Sequence, residues 1–337
     1  MLQRARGPAL LSLFGELNIR LDPWDVQYGS EFPLGEFDEI PDEEIILDVE
    51  IPIEAWRPIF PVAVVSPRHL IFVDGVRRQE VRILARVAGG VCHGAFGSYA
   101  AGSVTVTDGN VEWGDAVVDR VAVLGGGQSL PQPVSVMKGL TYLPLSIASS
   151  EPDAPLKAIL EQMRLMEERL ARELAKTDDT LVIADGPLTF ADPSKGRVVG
   201  YIKRAFRLYL PPENLQLLSE LSAGTRTPIF NLRGSNRFAR YSWFLRLTAP
   251  RIAESDLSGI VRLEVAESVG LEEAKRLADL TALTLKRFVP SRSRDPRSPQ
   301  NLLPIGALEE HLRRHLGHPG LIRRHIESLI AQEVRNG

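Results

Sequence analysis

Two stretches of the sequence close a short apolar run with Asp-Gly: Leu70-Ile71-Phe72-Val73-Asp74-Gly75 and Leu181-Val182-Ile183-Ala184-Asp185-Gly186. Runs of this length and composition, ended by a turn residue, read as buried strands. An aspartate on the last strand residue is held at the rim of the sheet, and the glycine after it lets the backbone turn at once. Asp-Gly is also ordinary hairpin chemistry. Here it occurs twice, each time on the most hydrophobic strand of its neighbourhood. Brought side by side, the two carboxylates could hold a hard divalent cation.

A third carboxylate comes from the helix that must precede the second strand. Pro155 suits a first helical turn, and Leu156, Ile159, Leu160, Met163, Met166, Leu170 and Leu174 form one apolar stripe up to about Lys176. Glu167 falls within that stripe, and Glu168 lies about 100° further round. A carboxylate facing the core is costly unless it is paired or metal-bound. Arg164, three residues earlier, is an available partner. The helix leads straight into the Asp185 strand, so its carboxylate can approach both aspartates.

The chain of 337 residues is 44% hydrophobic and 25% charged, which is ordinary for one large domain or two modest ones. The net charge of −3 points to neither nucleic acid nor membrane. The single Cys92 excludes an internal disulfide and a cysteine-rich zinc site. Glu16 and Arg20 interrupt the N-terminal apolar pattern too early for a signal peptide or a membrane span, so a cytoplasmic protein is expected. The distribution of charge is less bland. From Asp22 to Glu54 the chain is acidic with no Lys or Arg, whereas from Arg197 to Arg251 only Glu213 and Glu220 offset a series of cations. That series includes Lys203, Arg204, Arg207, Arg237 and Arg240, interleaved with aromatics. A basic segment of this kind can track a phosphate backbone, and its aromatics can stack unpaired bases or fill a core.

In order along the chain, residues 1–21 read as a short helix and 22–56 as an acidic, proline-interrupted arm, leaving 57–337 as the main domain. A strand over about 62–74 and a returning strand over 80–86 begin an antiparallel meander, continued by glycine-punctuated hairpins to residue 125. Residues 125–150 read as a loop without a phosphate-loop pattern. After Asp185 come strands at 198–202, 230–232, 241–248 and 260–265, a helix over 271–288, an Arg/Ser/Pro-rich loop at 290–299 and two closing helices.

The ordered series Phe72-Val73-Asp74-Gly75-Val76-Arg77-Arg78, the acidic helix, Ile183-Ala184-Asp185-Gly186-Pro187-Leu188, Val199-Gly200-Tyr201-Ile202-Lys203, Trp243-Phe244-Leu245-Arg246-Leu247 and Asn301-Leu302-Leu303-Pro304-Ile305-Gly306 resembles the NurA family of DNA-end-processing nucleases in its bacterial form. The resemblance covers roughly residues 60–330. It implies an α/β fold with an RNase H-like core, a mixed sheet and flanking helices. It implies Mn²⁺-dependent 5′-to-3′ exonuclease and single-strand endonuclease action on DNA, with Mg²⁺ as the other candidate ion. It further implies a homodimer working with the hexameric ATPase HerA on single-stranded DNA and duplex ends. Asp74 and Asp185 match the family's strand aspartates. Glu168 matches its helix glutamate by spacing, while periodicity favours Glu167. The family's C-terminal histidine matches His311, with His315 and His318 nearby. The archaeal Tyr-Pro is Leu303-Pro304 here, so no tyrosine role carries over. Lys203 would neutralise the scissile phosphate, and Arg77 and Arg78 would grip the backbone. A non-catalytic DNA-binding adaptor of the ATPase and a nuclease for RNA–DNA hybrids are the alternative readings.

Overall fold

The computed structural model of the chain describes residues 13–14, 17–21, 43–87, 90–188, 197–203, 208–234, 237–291, 293, 295 and 297–336. In chain order its elements are β1 (Asn18–Leu21), β2 (Glu43–Ile46), β3 (His69–Val87), β4 (Gly90–Thr107), β5 (Asn110–Trp113), β6 (Val117–Leu124), β7 (Val134–Met137), β8 (Leu140–Ser146), α1 (Ala154–Leu174), β9 (Thr180–Asp185), β10 (Val198–Ile202), α2 (Gln216–Glu220), β11 (Phe230–Gly234), β12 (Arg237–Arg246), β13 (Ile260–Ala266), α3 (Leu271–Thr284), α4 (Leu303–His315) and α5 (Pro319–Asn336).

The strands form one mixed sheet in the order β2-β11-β12-β13-β10-β9-β3-β4-β6-β8-β7. At its centre β3, β4 and β6 are successively antiparallel, β9 is parallel to β3, and β10 is parallel to β9. The spatial order β6-β4-β3-β9-β10, with α1 leading into β9, is the arrangement of an RNase H-like core. The fold is therefore α/β with a mixed sheet and flanking helices, as expected.

Because side chains alternate along a strand, the two faces of the sheet carry different layers. Ala95 and Tyr99 pack with Ile159 and Met163 of α1. Phe96 packs with Ile322 and Ile326 of α5, and Ala100 and Val104 pack with Leu308 and Leu312 of α4. Phe72, Ile183 and Tyr201 on the α4 side join a core with α3. A bulge between Gln79 and Val81 shifts the phase of β3, so Val76 before it and Val81, Ile83 and Ala85 after it all face the α4–α5 layer.

Several expectations are corrected. The segment read as two strands with a return after Asp74 is one strand of 19 residues, β3. Residues 125–150, read as a loop, contain β7 and β8. Residues 18–21, read within a helix, are a strand that pairs with the far half of β3, because Ile19 alternates inward between polar neighbours. The rest of that helix, and residues 22–42 of the acidic arm, lie outside the described residues. No helix among the described residues is long and apolar enough to cross a membrane.

The register of β3 opens the sheet at one place. β9 pairs with His69–Val73, and β1 pairs with Ile83–Arg86 on the same edge. Among the described residues no strand pairs with 74–82 on that edge. Asp74 is the first residue past the last rung.

Candidate metal centre

Three carboxylates converge where β9 ends. Val73 pairs with Ala184, so the next residues, Asp74 and Asp185, are neighbours across the two strands. Both have the parity of Phe72 and Ile183 and point toward α4. Glu309 reaches them from that helix. It sits one residue beyond Leu308, on the flank of the stripe by which α4 packs on Val76 and Ala100. One ligand oxygen from each of Asp74, Asp185 and Glu309 lies within 4.8 Å of the others.

The charge there is incompletely balanced. Asp74 is 4% exposed, and its Oδ1 accepts the Gly75 N–H at 2.8 Å, while Oδ2 is buried without a hydrogen-bond partner. Lys203, just past β10, donates from Nζ to Asp185 Oδ2 at 2.8 Å and lies 3.7 Å from Glu309 Oε1. Arg297 holds the other oxygen of Glu309 from outside at 2.6 Å. Burial, reinforced by Asp185, pushes the Asp74 carboxyl well above its usual range. Asp185 is raised by burial as well, with Lys203 offsetting part of the rise. Burial would lower Lys203, but Asp185, Asp74 and Glu309 together hold it above the ordinary lysine value.

Glu167 enters from the opposite face. α1 crosses β3 at Gly75, and a Cβ built on Gly75 would lie 2.6 Å from Glu167 Oε1. The glycine is there for close approach, not for a turn. Burial and the charge of Asp185 push Glu167 up to about 8, against the pull of Arg164 and Lys203. Glu167 is outside the group of three but lines the same cavity, about 260 Å³, with Asp74, Asp185, Lys203 and Glu309. Glu168 also lines it, and its side chain is turned to Arg172 in an ion pair of 2.7 Å.

The donors fit a hard cation. They are all carboxylate oxygens, the set that suits Mg²⁺, Mn²⁺ or Ca²⁺ over softer ions. The unpartnered Oδ2 of Asp74, and carboxyls raised first by burial and then by one another, mark a place where a divalent ion would stabilise the charged forms.

Other residues singled out in the sequence fall elsewhere. His311 stacks on Trp113, with ring centroids 4.5 Å apart, and its Nε2 lies 3.1 Å from that of His315. It is not in the group of converging carboxylates, which on α4 takes in Glu309, two residues earlier. The signal that could have found Glu309 is its spacing, four residues after Ile305 and one after Leu308, beside the apolar positions of α4. Arg77 lines the cavity. Arg78 is engaged with Glu80 and with the carbonyls of Leu316 and Gly317, just past the end of α4. Arg240 is fully buried and donates to Glu264. Arg204, Arg207 and the side chain of Arg237 lie outside the described residues.

A scan of protein-family models gives no match to this chain, and neither does a comparison with curated proteins. Among solved structures, the NurA nuclease from Sulfolobus solfataricus is similar at a TM-score of 0.43 and 13% identity, over 78% of this chain and 85% of that one. The catalytic domain of human Endonuclease V is similar at 0.30 and 18% identity, over 74% and 85%. At these scores neither likeness carries a functional assignment, which rests on the carboxylates.

Proposed function

We propose that this chain is a metal-dependent DNA nuclease of NurA type. The observation that carries it is the convergence of Asp74, Asp185 and Glu309 around an unpartnered, buried carboxylate oxygen at the open edge of an RNase H-like sheet. Asp74, Asp185 and Glu309 would hold Mn²⁺ or Mg²⁺, with Glu167 contributing from α1. A divalent ion so held supplies a nucleophilic water at neutral pH and offsets charge on the phosphoryl and leaving oxygens. Lys203, anchored on Asp185, presents a fixed cation beside the reacting phosphate. Arg297 holds Glu309 in orientation from the outer side. Burial and Asp185 raise the metal-free Glu167 to about 8, so a divalent ion bound beside it would compete with its proton.

The sequence resemblance extends the proposal to 5′-to-3′ exonuclease and single-strand endonuclease action, to a homodimer in the cytoplasm, and to a HerA-type hexameric ATPase as partner. The test is incubation of the purified protein with end-labelled single-stranded DNA, duplex DNA, RNA and RNA–DNA hybrid in Mn²⁺, Mg²⁺ or chelator. DNA is expected to be degraded in Mn²⁺ and not in chelator, with Asp185→Asn inactive. Intact DNA in both metals would overturn the proposal, and preferential loss of hybrid would move the substrate assignment.

A further inference from the structure

The proposed ligands Asp74 and Glu309 stand on two elements that run side by side. Leu308, Leu312 and Leu316 of α4 and its cap pack with Val76, Ala100 and Val104 of the sheet. Asp74 and Glu309 meet at one end of this packing. At the other end Arg78 of β3 meets Leu316. α4 therefore runs in the direction of β3. The spans agree: Asp74 to Arg78 is about 13 Å of strand, and Glu309 to Leu316 is about 10 Å of helix.

The contacts at the far end are directional. Arg78 donates from Nε and Nη2 to the two carboxylate oxygens of Glu80 at 2.8 and 2.9 Å. Nη2 also donates to the Leu316 carbonyl at 3.1 Å, and Nη1 donates to that of Gly317 at 2.8 Å. Glu80 is the extra residue of the β3 bulge and is buried, and Ser98 of β4 donates to it at 2.7 Å. Arg120 of β6 adds a contact of 3.4 Å to the Leu316 carbonyl. The last carbonyls of a helix have no partner within it, and a cation there also meets the negative end of the helix dipole. Arg78 thus joins the strand of Asp74 to the end of the helix of Glu309, and Glu80 holds the fork that does so.

We propose that Arg78, held by Glu80, is a positioning residue: it fixes α4 along β3 and so brings Glu309 to Asp74 and Asp185. This rests on the metal-site reading, and it takes Arg78 away from the DNA backbone, where the sequence resemblance placed it. Apolar packing is non-directional and tolerates a slide of the helix along the strand. A slide of one residue moves a helix by about 1.5 Å, whereas metal–ligand distances hold to about 0.2 Å. One planar fork gripping two successive carbonyls removes that freedom. Arg297 orients the Glu309 side chain from outside, and Arg78 places the backbone that carries it.

The experiment measures Mn²⁺ affinity by electron paramagnetic resonance in two variants. Arg78→Lys keeps the charge and loses the fork. The double change Arg78→Gln with Glu80→Gln leaves no buried carboxylate unpaired, so the fold survives the loss of the arginine. Circular dichroism confirms that each variant is folded. Both are also combined with Glu309→Gln and with Glu167→Gln. Affinity is expected to fall about tenfold in the otherwise wild-type chain, the low end for groups that act through a ligand. The same fall is expected beside Glu167→Gln, whose carboxylate comes from α1. Beside Glu309→Gln little or no further fall is expected, because the ligand that Arg78 places is already gone. An equal fall in both backgrounds would mark a general loosening and overturn the proposal. So would unchanged Mn²⁺ affinity in the folded variants, and salt-sensitive loss of DNA binding alongside it would return Arg78 to the DNA backbone. In either case wild-type Mn²⁺ binding leaves the metal-site reading standing. A wild type that binds no Mn²⁺ removes that reading and the positioning role with it. Mn²⁺ binding coupled in this way without cleavage of any DNA keeps the positioning role and removes the nuclease reading.

Discussion

The two Asp-Gly pairs look alike in sequence and do different work in the backbone. At Asp185-Gly186 the strand ends, and Gly186 turns through a φ of 102° with nothing within 4 Å of where a Cβ would be. At Asp74-Gly75 the strand runs on to Val87, and the missing Cβ of Gly75 is the space occupied by Glu167. One glycine is chosen for the backbone it permits, the other for the neighbour it admits. The aspartates end up equivalent because β3 and β9 are parallel and in register up to Val73 and Ala184. A pair of converging carboxylates can thus be assembled from one strand that stops and one that continues.

The largest expected effect tests the feature the two sites share. Asp74→Asn or Asp185→Asn removes a proposed ligand and is expected to lower Mn²⁺-dependent cleavage by more than ~100-fold, the upper range for groups one shell further out. Asp74→Asn is also expected to raise the melting temperature of the metal-free protein near neutral pH, because it deletes a buried carboxylate with an unpartnered oxygen. The sign of the pH dependence follows. Asp74 and Glu167 have folded pKa values above their unfolded ones, so the stability they confer is full in acid and is lost as pH rises. For Glu167 the loss spans pH 4.5 to about 8. Thermal melts of the metal-free protein are expected to fall across that window, Glu167→Gln to flatten the fall, and Mn²⁺ to restore the wild type.

The glycines separate the two roles. Gly75→Ala places a methyl 2.6 Å from Glu167 Oε1, and the carboxylate must leave. Cleavage is expected to drop by roughly 10–100-fold, as for a displaced supporting group, with little change in melting temperature because no positive φ is involved. Gly186→Ala should do the reverse. Its strained backbone costs on the order of 1–3 kcal/mol, while the ligands stay in place, so the melting temperature falls and the residual activity per folded molecule is nearly intact. Equal loss of activity in both variants would show that the two glycines act alike, against the geometry.

Much of this arrangement was legible in the sequence, for identifiable reasons. The two apolar runs ending in aspartate marked adjacent buried strands because a strand covered on both faces leaves a continuous hydrophobic signature. Glu167 was legible because a carboxylate inside an apolar stripe needs a partner. The continuation of β3 through Gly75 was not, since a glycine admitting a side chain and a glycine making a turn are written alike. The basic segment 197–251 misled for a different reason. Arg226 pairs with Glu50 and Asp279, Arg240 with Glu264, and Arg246 binds the carbonyls of Leu218, Asp256 and Ser258. Those partners lie up to 176 residues away, so local charge counts cannot separate an internal cation from one facing a phosphate backbone.

The smallest expected effect concerns α4, where the sequence drew attention to His311 and the fold brings in Glu309. Histidine attracts notice as the side chain that titrates near neutrality and ligates many metals. Glu309 sits beside the apolar positions of α4, but with Glu310 next to it and a charged helical end to follow, that signal is easily taken for solvated surface. On the helix, however, Leu308 and Leu312 face the sheet, which turns Glu309 to one flank and His311 to the other. The first flank borders Asp185 and Lys203, and the second meets Trp113 on β5. Glu309→Gln is therefore expected to weaken Mn²⁺ binding and cleavage together. His311→Ala should leave Mn²⁺ affinity unchanged and alter cleavage no more than a few-fold, with a stability loss of about 0.5–1.5 kcal/mol from the stacked ring. Titration of Mn²⁺ by electron paramagnetic resonance separates the two variants, and a loss of affinity in His311→Ala comparable to that in Glu309→Gln would return the ligand role to the histidine.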